Sequence, residues 1–173
     1  FYKMLKIVNC NLRTKFIIYF FTISISANSQ NLELNFSQAN FDSNNCCWRK
    51  LANSGQYIEA ANLVVMYLKK GNVSNKQSLN WHASQLFAMA GDNKMALKYL
   101  NKSSNIFHYW FGGSDGKTWY LYVHGVKAFI KRDRKKLNDI INLWNKKYPV
   151  DLNYKQLVLL SSNWNKTYLE ASK

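Results

Sequence analysis

Leu51-Ala52-Asn53-Ser54-Gly55-Gln56-Tyr57-Ile58-Glu59-Ala60 is answered 36 residues later by Phe87-Ala88-Met89-Ala90-Gly91-Asp92-Asn93-Lys94-Met95-Ala96. Gly55 matches Gly91 and Ala60 matches Ala96 at that same spacing of 36. Self-similarity at a period of about 34 residues is the sequence mark of a helix–turn–helix repeat. The phrase has a physical reading. A first helix stops at a glycine that tolerates left-handed backbone. A second helix starts at once and puts a small alanine where the two helices cross. Ala96 is therefore expected to be buried.

Phe129-Ile130-Lys131-Arg132-Asp133-Arg134-Lys135-Lys136-Leu137 reads as a third copy, displaced by 41 residues from Ala88 to Ala96. Arg132-Asp133 stands for Gly91-Asp92, and Leu137 for Ala96. Upstream, Gly125 matches Ser84; downstream, Ile141 matches Leu100 and Val64. The extra length falls between Asn105 and Lys117, which holds Gly112, Gly113 and Gly116. Around the copies the chain predicts helices from Asp42 or Ser43 to Asn53, Tyr57 to Lys70, Gln77 to Ala90, Asn93 to Ser103, Thr118 to Lys131, Arg134 to Lys147 and Leu152 to Ser162. Trp164, Tyr168 and Leu169 suggest a terminal turn. With one proline, Pro149, and almost no alternating segment, the fold class is all-α.

The small and large positions of these copies, clearest at Ser84, Phe87, Gly91, Ala96, Leu100 and Ser103, resemble the tetratricopeptide repeat (TPR) over roughly residues 41–147. Asn80-Trp81-His82-Ala83 and Trp119 to Phe129 are similar to phrases of small secreted bacterial repeat proteins. The resemblance implies an α-solenoid of about three hairpins with a C-terminal capping helix, and a concave face that takes a peptide or protein segment. Trp48 and Trp144 stand where the repeat has small residues, so those helices are expected to cross differently.

The first residues are organised differently. Met4 is the expected start. Lys6, Arg13 and Lys15 precede an apolar stretch, Phe16 to Ile25, and Ala27 and Ser29 are small residues ahead of Gln30. That order predicts a secretory signal peptide over 1–29, a polar linker over 30–40 and a helical-repeat domain over 41–173. An uncleaved anchor is the other reading, but ten apolar residues fall short of the roughly 20 a span needs. The expected location is secreted or periplasmic. Cys46 and Cys47 are the cysteines beyond that leader. Adjacent sulfurs can close only an eight-membered ring, so two buried thiols are expected.

The chain carries 24 Lys and Arg against 9 Asp and Glu, a net charge of +15. Without the four leader cations the balance is 20 against 9, or +11. Such a chain is drawn to anionic partners. The joint abundance of Lys, Asn, Ile, Tyr and Phe also has a purely compositional explanation.

If the first helices line the concave face, repeat register turns Arg49, Trp81, Gln85, Met89, Trp119, Tyr122 and Val126 toward it, with His82 beside them. Rings there would give apolar contact to a peptide and polar tips would satisfy its main chain. The same large residues could instead pack between repeats. Lys131, Arg132, Arg134, Lys135 and Lys136 form the densest basic run. They make an anion-binding reading (nucleic acid, cell-wall polyanion or acidic membrane) the alternative, against an ordinary solvated turn. Phe107-His108-Tyr109-Trp110-Phe111 is read as an apolar lid over the longer gap, or as rings that stack on sugars or bases. No nucleophile elbow, phosphate loop, metal-ligand spacing or paired carboxylates occur in the sequence. The expectation is a non-catalytic protein without cofactor or metal.

Overall fold

The computed structural model describes residues 33–173, and at position 108 the backbone alone. The signal-peptide expectation for 1–29 and the first three linker positions, 30–32, lie outside those residues. Helices account for nearly all regular structure. They are α1 (Gln38–Phe41), α2 (Cys47–Asn53), α3 (Tyr57–Lys70), α4 (Lys76–Met89), α5 (Asn93–Ser103), α6 (Ile106–Phe111), α7 (Gly113–Ile130), α8 (Arg134–Lys147), α9 (Leu152–Ser162) and α10 (Tyr168–Ala171). No strand occurs among the described residues, only an isolated bridge between Ser37 and Asn72.

Three antiparallel hairpins, α2–α3, α4–α5 and α7–α8, stack in sequence, with α3 on α4 and α5 on α7. Each hairpin turns through the same backbone. Gly55 has φ 79, Gly91 φ 82 and Arg132 φ 59. In the second copy the Gly91 amide donates to Ala88 O at 3.1 Å and the Asp92 amide to Phe87 O at 2.9 Å. The first copy repeats this with Gly55 to Ala52 at 3.0 Å and Gln56 to Leu51 at 2.9 Å. The third has Arg132 to Phe129 at 3.0 Å and Asp133 to Ala128 at 2.9 Å. This paired closure satisfies carbonyls that a helix end would otherwise orphan. In the second and third copies the next residue caps the following helix: Asp92 accepts the Met95 amide at 2.9 Å, and Asp133 the Lys136 amide at 3.0 Å.

The crossing residues are buried as the repeat requires. Ala60, Ala96 and Leu137 are each 0% exposed. Gly125 is small for a different reason. A Cβ there would lie 2.6 Å from Leu157 Cδ2, so its absence lets α9 seat against α7. The tryptophans at small positions are buried and their indole N–H groups find partners. Trp48 Nε1 donates to Asp42 Oδ1 at 2.9 Å, and Trp144 Nε1 to Pro149 O at 3.1 Å.

Three expectations need correction. The described part of the 30–40 linker is packed. Leu34 and Gln38 are buried, and the rings of Phe41 and Tyr67 stack at 3.9 Å. Gln38 Oε1 accepts from the Ser74 and Asn75 amides at 3.0 and 2.7 Å, and its Nε2 donates to Asp42 Oδ2 at 3.2 Å. Its polarity serves an interior network that ties this segment to the α3–α4 turn. Second, Cys46 and Cys47 are joined as a vicinal disulfide instead of remaining thiols, with Cys47 at φ 54. The left-handed backbone replaces the regular helical start that would have kept the side chains apart. Third, the aromatic stretch is not a sealed lid. It forms α6, whose Phe107, Trp110 and Phe111 stay exposed.

Candidate functional site: a cavity at the α2–α4 end of the first-helix face

The chain's own C-terminal segment packs against the first helices of hairpins two and three. Helix α9 packs on α7 and α8, and α10 crosses to α4. Tyr168 is the anchor. It is buried, its ring lies 6.2 Å from Phe129, and its hydroxyl lies near the Gln85 side chain. Burial raises the Tyr168 pKa, with Gln85 opposing. The connection before α10 is held by Arg132. Its guanidinium donates to Trp164 O and, at 2.8 Å, to Lys166 O, and it lies 4.9 Å from the Phe129 ring.

Two openings border the C-terminal segment: a cavity of about 520 Å³ between α2, α4 and that segment, and one of about 420 Å³ on the other side of Met89 and Leu169, between the ends of α4 and α7. To the larger, Trp48, Arg49 and Asn53 contribute from α2; His82, Gln85 and Met89 from α4; Leu169 and Lys173 close the far side. Asn44 and Asn45 form the entrance from the turn before α2. The wall therefore combines aromatic and thioether surface with amides and two cationic side chains, and no lining side chain is a carboxylate.

Arg49 is positioned from two sides. Its guanidinium carbon sits 4.2 Å from the Trp48 ring, and Nε donates to Asp42 O at 2.7 Å. That bond uses one of five guanidinium N–H donors. Asp42 also holds the Trp48 indole, so the α1–α2 connection sets the geometry of both side chains. The His82 ring lies 4.9 Å from Trp48, and its Nε2 is 3.2 Å from Ser78 Oγ. Burial lowers the His82 pKa; Asp42 opposes this and Arg49 adds to it. His82 is therefore a neutral ring at neutral pH.

Of the residues expected on the concave face, Arg49, His82, Gln85 and Met89 line this one cavity. The other four are elsewhere. Trp81, Tyr122 and Val126 are buried. Trp81 lies 5.0 Å from both Trp119 and Tyr122, in an aromatic cluster between hairpins two and three. Trp119 is half-buried, and its Nε1 donates to Ser103 O at 3.1 Å. Trp48, Asn44 and the C-terminal Leu169 and Lys173 were beyond sequence reasoning. Trp48 could be read only as a misfit at a small position, and the C-terminal residues reach the site through a long-range contact.

The basic run is exposed from Lys131 to Lys136, but two of its members have internal partners. Arg132 holds the C-terminal connection, and Lys135 pairs with Asp139 at 2.8 Å. Among the described residues no group of three His, Cys, Asp or Glu is placed to hold a metal ion. No helix among them is long and apolar enough to cross a membrane. No family model matches this chain, and no curated protein or solved structure matches it significantly.

Proposed function

We propose that this chain is a TPR-like, non-catalytic interaction module whose binding site is the α2–α4 cavity. It would take a short peptide segment from a partner protein. The observation that carries the reading is the convergence of Trp48, Arg49, His82 and Met89 on one cavity of about 520 Å³. A site of that size suits a few side chains, with rings for apolar contact and amides for main-chain groups. Arg49 and Lys173 favour a segment with an acidic side chain.

A hydrolytic reading has less support. Ser78 and His82 are one helical turn apart on α4, and Ser78 is not part of the cavity wall. The nearby Asp42 carboxylate is engaged by Trp48 and Gln38. The anion-binding reading through Lys131, Arg132, Arg134, Lys135 and Lys136 is weakened by the internal partners of Arg132 and Lys135. We place the module outside the cytoplasm, on the basic–apolar–small order of residues 6–29.

The test is selection of displayed peptides on the immobilised chain, followed by titration of the best binder. Arg49→Ala combined with Met89→Ala should weaken it roughly tenfold or more, as central contacts do. Affinity should change little between low and moderate salt. Unchanged affinity in the double variant would remove the cavity assignment. A steep salt slope would return the anion-binding reading.

A further inference from the structure

The cavity makes no use of α6, where the chain exposes its largest aromatic side chains. Successive residues of a helix are about 100° apart, so a six-residue helix has one inward and one outward side. Tyr109 faces inward: its ring is 5.2 Å from Tyr120, and its side chain comes near that of Tyr148, just after α8. Phe107 and Phe111, one turn apart, face out and stack at 6.2 Å. Phe107 is 66% exposed, Trp110 67% and Phe111 81%. The approach of Tyr148 brings the α8–α9 connection alongside; that connection exposes Val150 at 54%, and Leu152, the first residue of α9, is 81% exposed. An apolar ridge of this kind on a small domain marks an interaction surface.

The flanking charges say which kind. Lys102 precedes α6, Lys117 follows it in the first turns of α7, and Lys146 and Lys147 adjoin Tyr148. The acidic residues in the same stretches are Asp115 and Asp151. Asp151 accepts the Tyr154 amide at 2.8 Å and caps α9; Asp115 lies in the first turn of α7, where the helix dipole offsets its charge. Lysine is depleted from protein–protein interfaces. Exposed Trp and Phe flanked by Lys is instead the composition of a segment lying in a lipid headgroup layer. We infer that the α6 ridge docks this protein on an anionic lipid surface, with Phe107, Trp110 and Phe111 entering the headgroup boundary and the lysines meeting lipid phosphates.

This surface is separate from the basic run. Helix α8 has 14 residues and so separates Arg134 from Lys147 by about 20 Å. Co-sedimentation with phosphatidylcholine vesicles, with and without phosphatidylglycerol, tests the inference. Wild-type protein should sediment with the anionic vesicles only. The variant Phe107→Ser/Trp110→Ser/Phe111→Ser should bind them roughly tenfold more weakly or worse. Lys146→Ala/Lys147→Ala should weaken binding, whereas Lys131→Ala/Lys136→Ala should leave most of it. Absence of wild-type binding would overturn the inference. So would a triple variant that binds equally well, or an aromatic-dependent self-association without vesicle binding. Should the triple variant lose helical signal, brominated lipid decides. It should quench wild-type emission more than that of Trp110→Phe; equal quenching overturns the inference.

Discussion

Gly91 ends α4 at φ 82 and Arg132 ends α7 at φ 59, and each hands over to an aspartate that caps the next helix. The backbone of hairpins two and three is the same there, but the chemistry differs. A glycine adopts this conformation without steric cost; an arginine adopts it against about 1–2 kcal/mol. The arginine has a compensating use, because its guanidinium holds Trp164 O and Lys166 O and so fixes the segment leading into α10. The crossing residues differ in the same sense. Ala96 lets α4 and α5 approach, whereas Leu137 fills the crossing of α7 and α8. Gly125 then yields space to Leu157 of α9. Hairpin two is a generic repeat with a free first-helix surface at one end. Hairpin three is adapted to receive the C-terminus. The larger opening lies at α2–α4, where the C-terminal segment reaches only the far wall through Leu169 and Lys173.

The largest effect should come from emptying the third crossing. Leu137→Ala removes a fully buried side chain and should cost about 2–5 kcal/mol in urea unfolding. The reciprocal change, Ala96→Leu, should overpack hairpin two and cost about 1–3 kcal/mol. If Ala96→Leu is silent, the equivalence of the two crossings fails. At the turns, Gly91→Ala meets no neighbour within 4 Å, so its cost of about 1–2 kcal/mol is backbone strain alone. Arg132→Gly relieves that strain but releases the C-terminal connection. Its signature should be faster amide exchange over residues 167–172 rather than a large fall in global stability. Unchanged exchange there would show that the guanidinium contacts hold nothing.

The turn phrases were legible because glycine and aspartate act through local backbone chemistry, which the sequence displays directly. Helices α3, α5, α8 and α9 have the expected bounds for the same reason. The 30–40 segment reads as a linker because a polar residue such as Gln38 gives no sign that the α3–α4 turn will satisfy it. The start of α7 was hidden by Gly112, Gly113 and Gly116; the helix nevertheless closes with the Gly116 amide on Gly112 O at 2.8 Å. Repeat register assigned Tyr122 and Val126 to the concave face, and both are buried. It could not show that Leu157 and Tyr168 would arrive there from the other end of the chain.

A smaller effect separates the two regions by pH. His82 in hairpin two and His124 in hairpin three both have lowered pKa values, mainly through burial, with Lys127 and Lys136 adding at His124. The unfolded chain, with histidine near about 6.5, then binds protons that the folded chain refuses. Stability should fall as pH drops below about 6.5 and level off below the folded values. His82→Gln should flatten part of that slope and His124→Gln another part. A slope untouched by both would assign the acid sensitivity to other groups.

Methionine methyl NMR during titration with a selected peptide tests the central claim most directly. Met89 lines the cavity, while Met66 on α3 and Met95 on α5 lie outside its wall and serve as internal references. The account predicts that the Met89 methyl resonance shifts with peptide while those of Met66 and Met95 stay in place. Saturable binding that leaves Met89 unmoved would contradict it.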